Sequence, residues 1–171
     1  MKHTIEPLSY GDQITKALQK GAFLTTKSGD KVNSMVIGWG HMGIVWGRPV
    51  FIAYVRTSRY TRELLDENPA FTVNVPTQGF SKEAFAICGS QSGRDLNKIQ
   101  AAGLHLEPPE VINVPGIREY PLTLECQVIY RQEQDPALIP ENIRQQYYVR
   151  ETEDHVCYYG EIKAAYIIDR E

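Results

Sequence analysis

The chain has 171 residues, 23% of them charged and 42% hydrophobic, the balance of a soluble globular protein; at this length a domain buries about 70% of the surface its unfolded chain exposes. The formal net charge is −3 and the 18 basic residues are dispersed, which leaves no basic stripe for a nucleic-acid backbone. No uncharged run approaches the ~18 residues of a membrane span, and Met1 to Pro7 lacks the apolar core of a signal peptide, so one cytoplasmic domain, residues 1–171, is expected.

From the N-terminus, the first clear unit is a hairpin: Ala22 to Thr26 and Val32 to Ile37 flank a turn containing Gly29-Asp30. Pro49 to Val55 is almost continuously apolar, as in a buried strand. A helix opens at Ser58 and runs through Thr61 to Glu67. Ala70 to Val75 alternates and stops at Pro76, which cannot extend a ladder. Phe80 to Ile87 reads as a short helix with Ser81 near its start, and Gly93 to Ala102 as another, closed by Gly103. After a Val114-Pro115-Gly116 turn come a strand from Tyr120 to Tyr130, a loop with a helical turn from Pro136 to Tyr148, and a strand from Val156 to Ile168. Without regular β–α alternation, the fold expected is mainly β: a closed antiparallel barrel with a few short peripheral helices.

Two stretches carry chemistry. Asn33-Ser34-Met35-Val36 alternates poorly as a core strand, but it offers successive main-chain N–H and C=O groups to a flat heterocycle. Gly38 and Gly40 leave room for such a ring and Trp39 is placed to cover it. Arg56-Thr57-Ser58-Arg59-Tyr60-Thr61 then gathers three aliphatic hydroxyls and two guanidiniums directly before a helix, a place for a phosphate. Taken singly, these residues have plainer uses: Trp39 and Trp46 as packing, Arg56 as a surface charge, Ser58 as a helix cap contributing about 1 kcal/mol.

Gly38-Trp39-Gly40-His41-Met42-Gly43 matches the G-x-G-x-x-G dinucleotide fingerprint. Its context excludes that use, because Ile44 to Pro49 leads into another strand where the fingerprint needs a helix N-terminus to meet pyrophosphate. Cys88, Cys126 and Cys157 are odd in number and widely spaced, which reads as buried thiols. His3, His41, His105 and His155 show no metal-ligand spacing, so no metal is expected.

In this order, Asn33-Ser34-Met35 with Gly38-Trp39-Gly40, Trp46 to Val50, Val55 to Thr61, Phe71 to Pro76, Ser92-Gly93-Arg94-Asp95 with Lys98, and Gly160-Glu161-Ile162 resemble the flavin reductase-like FMN-binding split barrels, in particular the flavoredoxin branch. The resemblance covers most of the chain. It implies a six-stranded antiparallel Greek-key split barrel and a homodimer with FMN held non-covalently near the subunit interface. By position, Asn33, Ser34, Met35 and Val36 would line the flavin ring, with Trp39 packed near it. Arg56, Ser58 and Thr61 would hold the phosphate, with Tyr60 beside them. Ser92 and Lys98 would add contacts from a second segment, Lys98 either neutralising phosphate or polarising the pyrimidine edge of the flavin. His155 and Tyr158 would approach from the last strand, His155 being either the catalytic proton donor or a plain strand histidine. The chain departs from the pattern at Thr57, where relatives commonly have proline, at Ile99, where an aromatic is common, and at His41. None of these removes a phosphate ligand. The tyrosine pairs Tyr147-Tyr148 and Tyr158-Tyr159 are candidates for the dimer interface.

The resemblance implies an oxidoreductase in which NAD(P)H, a transient co-substrate, delivers hydride to the flavin and electrons pass on to free flavin, ferric chelates or a protein acceptor. An alternative is a flavoredoxin-type carrier that keeps its FMN and oxidises no nicotinamide itself. A third is a split barrel that binds flavin or haem without turnover; the phosphate cluster favours flavin, and no Cys or Met pattern supports haem.

Overall fold

The computed structural model describes residues 1–77, 79, 81–149 and 154–169. A short strand β1 (Lys2–Thr4) leads through a 3-10 turn at Pro7–Tyr10 into α1 (Gly11–Leu18). β2 (Ala22–Ser28) and β3 (Lys31–Ile37) form the expected hairpin, with Gly29 supplying the positive φ of 55°. β4 (Gly40–Val45) and β5 (Arg48–Arg56) form a second hairpin around Trp46 and Gly47, whose φ values of 51° and 70° are the left-handed pair of a type I′ turn. There follow α2 (Tyr60–Glu67), β6 (Ala70–Val75), α3 (Lys82–Ser90), α4 (Lys98–Ala101), and the short pair β7 (Leu106–Glu107) and β8 (Gly116–Ile117). The chain ends with β9 (Leu122–Glu133), a 3-10 turn at Pro136–Leu138, α5 (Glu141–Tyr147) and β10 (His155–Ile168).

The main sheet is antiparallel with order β3-β2-β6-β9-β10-β5-β4, and β1 adds to the far end of β10. Its two terminal strands, β3 and β4, are consecutive in sequence and joined only by Gly38-Trp39. Laid flat, the six strand spacings between them would separate the edges by about 29 Å. Three peptide steps span at most about 11 Å. The sheet therefore has to roll up until its ends meet, and it does so without a β3–β4 ladder among the described residues. This is a split barrel of mainly β structure, as the sequence implied.

Leu24, Phe51, Phe71, Val73, Leu122, Leu124 and Val156 fill the barrel, and α1 adds Ile14 and Leu18 to the same core. Outside it, Phe23 stacks on Tyr120 at 4.3 Å and packs with Cys88, Ile99 and Leu104 under α3 and α4. Glu125, fully buried on β9, accepts N–H bonds from Glu110, Val111 and Ile112 at 2.6, 2.8 and 3.0 Å, fastening the loop between β7 and β8 to the barrel.

Several local expectations need correction. β4 was not expected, because two glycines and a histidine mask its alternation; its pairing with β5 forms it. α2 starts at Tyr60, and its cap is Arg59 without a side-chain bond, so Ser58 does not open the helix. Gly93 to Ala102 is not one helix: only Lys98–Ala101 is helical, capped where Asn97 Oδ1 accepts the Gln100 N–H at 3.1 Å. Ser81 does cap α3, accepting from the Ala84 N–H at 3.2 Å, while Phe80 lies outside the described residues. Cys88 and Cys126 are buried, but Cys157 is only half-buried.

Gly160 sits at a bulge between β9 and β10, where a Cβ would lie 2.6 Å from Phe71 Cζ and 2.7 Å from Cys126 Cβ. Neither neighbour is the loose end of a flexible side chain. Gly160→Ala should lower stability by about 2 kcal/mol in urea unfolding; an unchanged midpoint would show that the bulge moves aside freely.

Candidate functional site

The seam of the barrel exposes one edge of β3. A two-residue hairpin closes on a hydrogen-bonded pair, here Ser28 with Lys31, and bonded pairs then alternate along the ladder. Asn33 and Met35 thus exchange main-chain bonds with β2, whereas the N–H and C=O groups of Ser34 and Val36 point away from it, toward the seam. The Ser34 side chain takes no part there: its Oγ accepts from Thr25 Oγ1 at 3.1 Å in a buried pair.

Two cavities adjoin along this edge and share Met35 and Arg59. The first, about 120 Å³, is lined by Asn33, Ser58, Tyr60, Thr61, Ser92 and Lys98 and is called the anion lobe here. The second, about 140 Å³, is lined by Val36, Gly38, Trp39, Tyr54, Arg56 and His155 and is called the ring lobe. A larger cavity of about 800 Å³ lies elsewhere, beside Lys2, Leu104, Arg118 and Tyr120. Its cations are already paired, Lys2 and Arg118 with Glu107 at 3.6 and 3.1 Å, so it presents less uncompensated chemistry than the seam.

Lys98 is the decisive group of the anion lobe. It is 4% exposed, its Nζ donates to the Cys88 carbonyl at 3.1 Å, and it has no carboxylate partner among the described residues. Burial, with a smaller contribution from the nearby Arg59 charge, lowers its pKa to about 8, against the opposing effect of Cys88. A surface lysine on a solvated helix would show neither feature. The segment after α3 is held over the lobe by Arg94, whose Nε donates to Glu63 Oε1 at 3.2 Å and whose Nη1 donates to the Ser58 carbonyl at 3.3 Å. Its guanidinium also lies 5.5 Å from the Tyr60 ring centre.

In the ring lobe, Trp39 packs against His155 at 4.8 Å and meets Tyr147 edge-on at 5.4 Å, with Tyr148 at 6.3 Å. The Arg56 guanidinium lies 6.0 Å from the Trp39 ring and 5.9 Å from the Tyr148 ring, and its Nη2 donates to the Tyr147 carbonyl at 3.2 Å. The end of α5 thus leans on the residues that line the ring lobe.

Of the residues expected here, Asn33, Met35, Ser58, Tyr60, Thr61, Ser92 and Lys98 meet in the anion lobe, and Met35, Val36, Trp39, Arg56 and His155 line the ring lobe. Arg56 faces the ring lobe rather than joining Ser58 and Thr61; Arg59 takes that place. Tyr158 belongs to neither. It is 1% exposed and its hydroxyl reaches Asp66 at 3.3 Å, because alternation along β10 sends His155 and Tyr158 to opposite faces. Burial pushes its pKa up to about 12. Tyr54 and Arg94 were missed: Tyr54 lay hidden in an apolar run, and Arg94 is used for a loop contact that no local pattern encodes.

Residues 19–171 match the flavin reductase like domain family, and the chain belongs to that family. An uncharacterised protein of Archaeoglobus fulgidus is 28% identical over 140 residues, which cover 82% of this chain and 68% of the relative. The crystal structure of a flavoredoxin from Methanosarcina acetivorans superposes with a TM-score of 0.68 at 28% identity, over 87% of this chain and 68% of that one. The flavoredoxin of Desulfovibrio vulgaris (Miyazaki F) matches in fold, with a TM-score of 0.67 at 21% identity over 87% and 69% of the two chains. Among the described residues, no helix is long and apolar enough to cross a membrane.

The unfolded chain keeps the Lys98 proton up to the ordinary 10.5, whereas the folded, ligand-free protein releases it near 8. Stability should therefore rise with pH between these values, and below 8 the cost of the buried Lys98 cation should be present in full and independent of pH. From pH 7.5 to 10 the parent should gain about 2 kcal/mol relative to Lys98→Met in urea unfolding. A difference that stays constant would show that Lys98 is not a buried, uncompensated cation.

Proposed function

We propose that the seam binds FMN and that the protein, a cytoplasmic homodimer of one-domain subunits, passes hydride or electrons from NAD(P)H to free flavin, ferric or protein acceptors. The observation that carries this is Lys98: a buried cation without a carboxylate among the described residues, beside Arg59 and the hydroxyls of Ser58, Thr61 and Ser92, asks for an anion. The adjoining β3 edge offers the N–H and C=O groups of Val36, which lines the ring lobe, to the polar rim of a flat ring, while Ser34 beside it is fully buried. The residues present thus fit a flavin phosphate.

When bound, FMN would supply reversible redox chemistry between donor and acceptor. Arg59, Lys98, Ser58, Thr61 and Ser92 would hold the phosphate, which favours the phosphate role of Lys98 over a pyrimidine contact. Met35, Val36 and Trp39 would orient the ring and exclude water. His155, 4% exposed and flanked by Trp39 and Tyr148, is the side chain placed to hold a proton at the ring lobe.

The second reading, an electron carrier with retained FMN and no nicotinamide oxidation of its own, is favoured by two observations. Tyr147 and Tyr148 already pack on Trp39, and the ring lobe of about 140 Å³ is small beside the ~300 Å³ at which ordinary ligand clefts begin. The flavoredoxin likeness points the same way. The visible spectrum of the purified protein, followed by anaerobic NADH and NADPH, separates the readings. Yellow that bleaches supports the reductase, yellow that persists supports the carrier, and a colourless protein that takes up no FMN rejects both.

Arg59→Ala should weaken FMN binding by about 2 kcal/mol through loss of a charge-assisted phosphate contact. Arg56→Ala should cost less, since that guanidinium is engaged by Trp39, Tyr147 and Tyr148. Titration of the apo variants decides the order; equal losses would return Arg56 to the phosphate set.

For the dimer, Tyr158 is withdrawn as an interface residue because it is buried within the subunit. Trp46, 64% exposed, instead forms an outward cluster with Tyr130 and Tyr159 at 6.0 and 6.4 Å, the ring-rich surface on which a second copy would pack. Trp46→Ser with Tyr130→Ser should shift light scattering at micromolar concentration from dimer to monomer; a parent that is already monomeric removes the proposal.

A further inference from the structure

Asn33 is 3% exposed at the floor of the anion lobe, and its carboxamide makes two contacts of opposite kind. Nδ2 donates to Thr61 Oγ1 at 2.9 Å. Oδ1 is buried without a hydrogen-bond partner among the described residues, and it lies only 2.1 Å from where a Cβ on Gly93 would sit. The oxygen is thus aligned with the Gly93 Cα–H that a side chain would replace. A carbonyl oxygen is attracted by that C–H, whereas an NH2 group turned toward it would meet hydrogen with hydrogen. Gly93 therefore fixes which way round the amide stands.

The consequence falls on Thr61. A hydroxyl has one proton to give, and an oxygen that accepts from Asn33 Nδ2 cannot give its proton back to the same nitrogen. Thr61 Oγ1 donates to no group among the described residues, although the side chain lines the lobe. We propose that Asn33, locked by Gly93, is a positioning residue that occupies one acceptor site of the Thr61 hydroxyl and so turns its free proton toward the phosphate of the bound ligand. The relay runs Gly93 Cα–H to Asn33 Oδ1, Asn33 Nδ2–H to Thr61 Oγ1, and Thr61 O–H to the anion. It gives a reason for a glycine on the segment after α3, and it selects phosphate-bearing over phosphate-free flavin.

The proposal rests on the seam being a flavin-phosphate site, and its test compares FMN with riboflavin, which has the same ring and side chain without phosphate. Apo protein is titrated with both. Thr61→Val and Asn33→Leu should each lose about tenfold in FMN affinity and less than about twofold in riboflavin affinity. The double variant should be no weaker than the worse single one, since both break the same relay. Thr61→Ser should keep the parental FMN affinity. Should Asn33→Leu fail to fold, Asn33→Asp serves, because a carboxylate can only accept and would draw the Thr61 proton inward; FMN affinity should again fall and riboflavin affinity hold. Additive losses, or equal losses for both flavins, would overturn the relay and leave a merely structural Asn33. A parent that binds FMN no better than riboflavin would instead reject the phosphate site, and one that binds neither would reject the flavin reading.

Discussion

Everything in this molecule depends on the two residues between β3 and β4. The strands they join stand at opposite ends of a rolled sheet, so Gly38-Trp39 is both a covalent staple and the reason the barrel stays open. Had β3 paired with β4, the main-chain groups of Ser34 and Val36 would be consumed by the ladder. Because it does not among the described residues, a strand edge without a ladder partner runs beside a tryptophan in the link itself. An exposed edge of this kind ordinarily invites association with another strand. Here it packs against α2, α3 and α4, and the part that opens onto the ring lobe is Met35 to Ile37, so it is not presented to another sheet.

The same rolling brings charge to the seam. α4 is one turn long and could not hold a buried lysine by itself; Lys98 is kept in place by the Cys88 carbonyl from α3 and by the packing of Ile99 and Leu104 against Phe23. Burying an ammonium without a carboxylate costs free energy, and the same desolvation lowers the Lys98 pKa. The protein has spread the donors over three separate segments, β3, the start of α2 and the stretch after α3, with Arg94 tying the last two together through Glu63 and the Ser58 carbonyl. An anion that contacts all three closes the charge balance that the fold leaves open.

Strong periodicity and turn chemistry made the barrel legible. The first hairpin, the apolar run of β5, the extent of β6 and the Ser81 cap appear as read, although β6 is buried on both faces and its alternation does not divide core from solvent. The failures share a cause. β4 carries no alternation of its own and exists through pairing with β5, while Gly93 to Ala102 has helical composition but is drawn into turns by the contacts of Gly93 and Arg94. At the site, the block from Arg56 to Thr61 was visible as a cluster, yet its division between lobes was not. Arg56 ends a strand and Arg59 caps a helix, so the intervening turn leaves Arg56 on the ring lobe while Arg59 reaches both lobes. Tyr158 was misplaced because a carried-over position ignored the period of two that separates it from the face of His155.

The two lobes differ in how firmly they are built. The anion lobe is assembled from hydrogen bonds of 2.9 and 3.1 Å and a glycine contact with no room for a methyl group, so its geometry is set before any ligand arrives. The ring lobe is bounded by aromatic contacts of 4.8 to 6.3 Å between Trp39 and the α5 end and β10, which are individually weak and slide easily. Met35 and Arg59 belong to both. A rigid anion lobe joined to an adaptable aromatic wall suits a ligand that is anchored by one end while its other end exchanges partners. Movement of Tyr147 and Tyr148 off Trp39 is then the step that would distinguish a site open to a second ring from one that keeps its flavin covered.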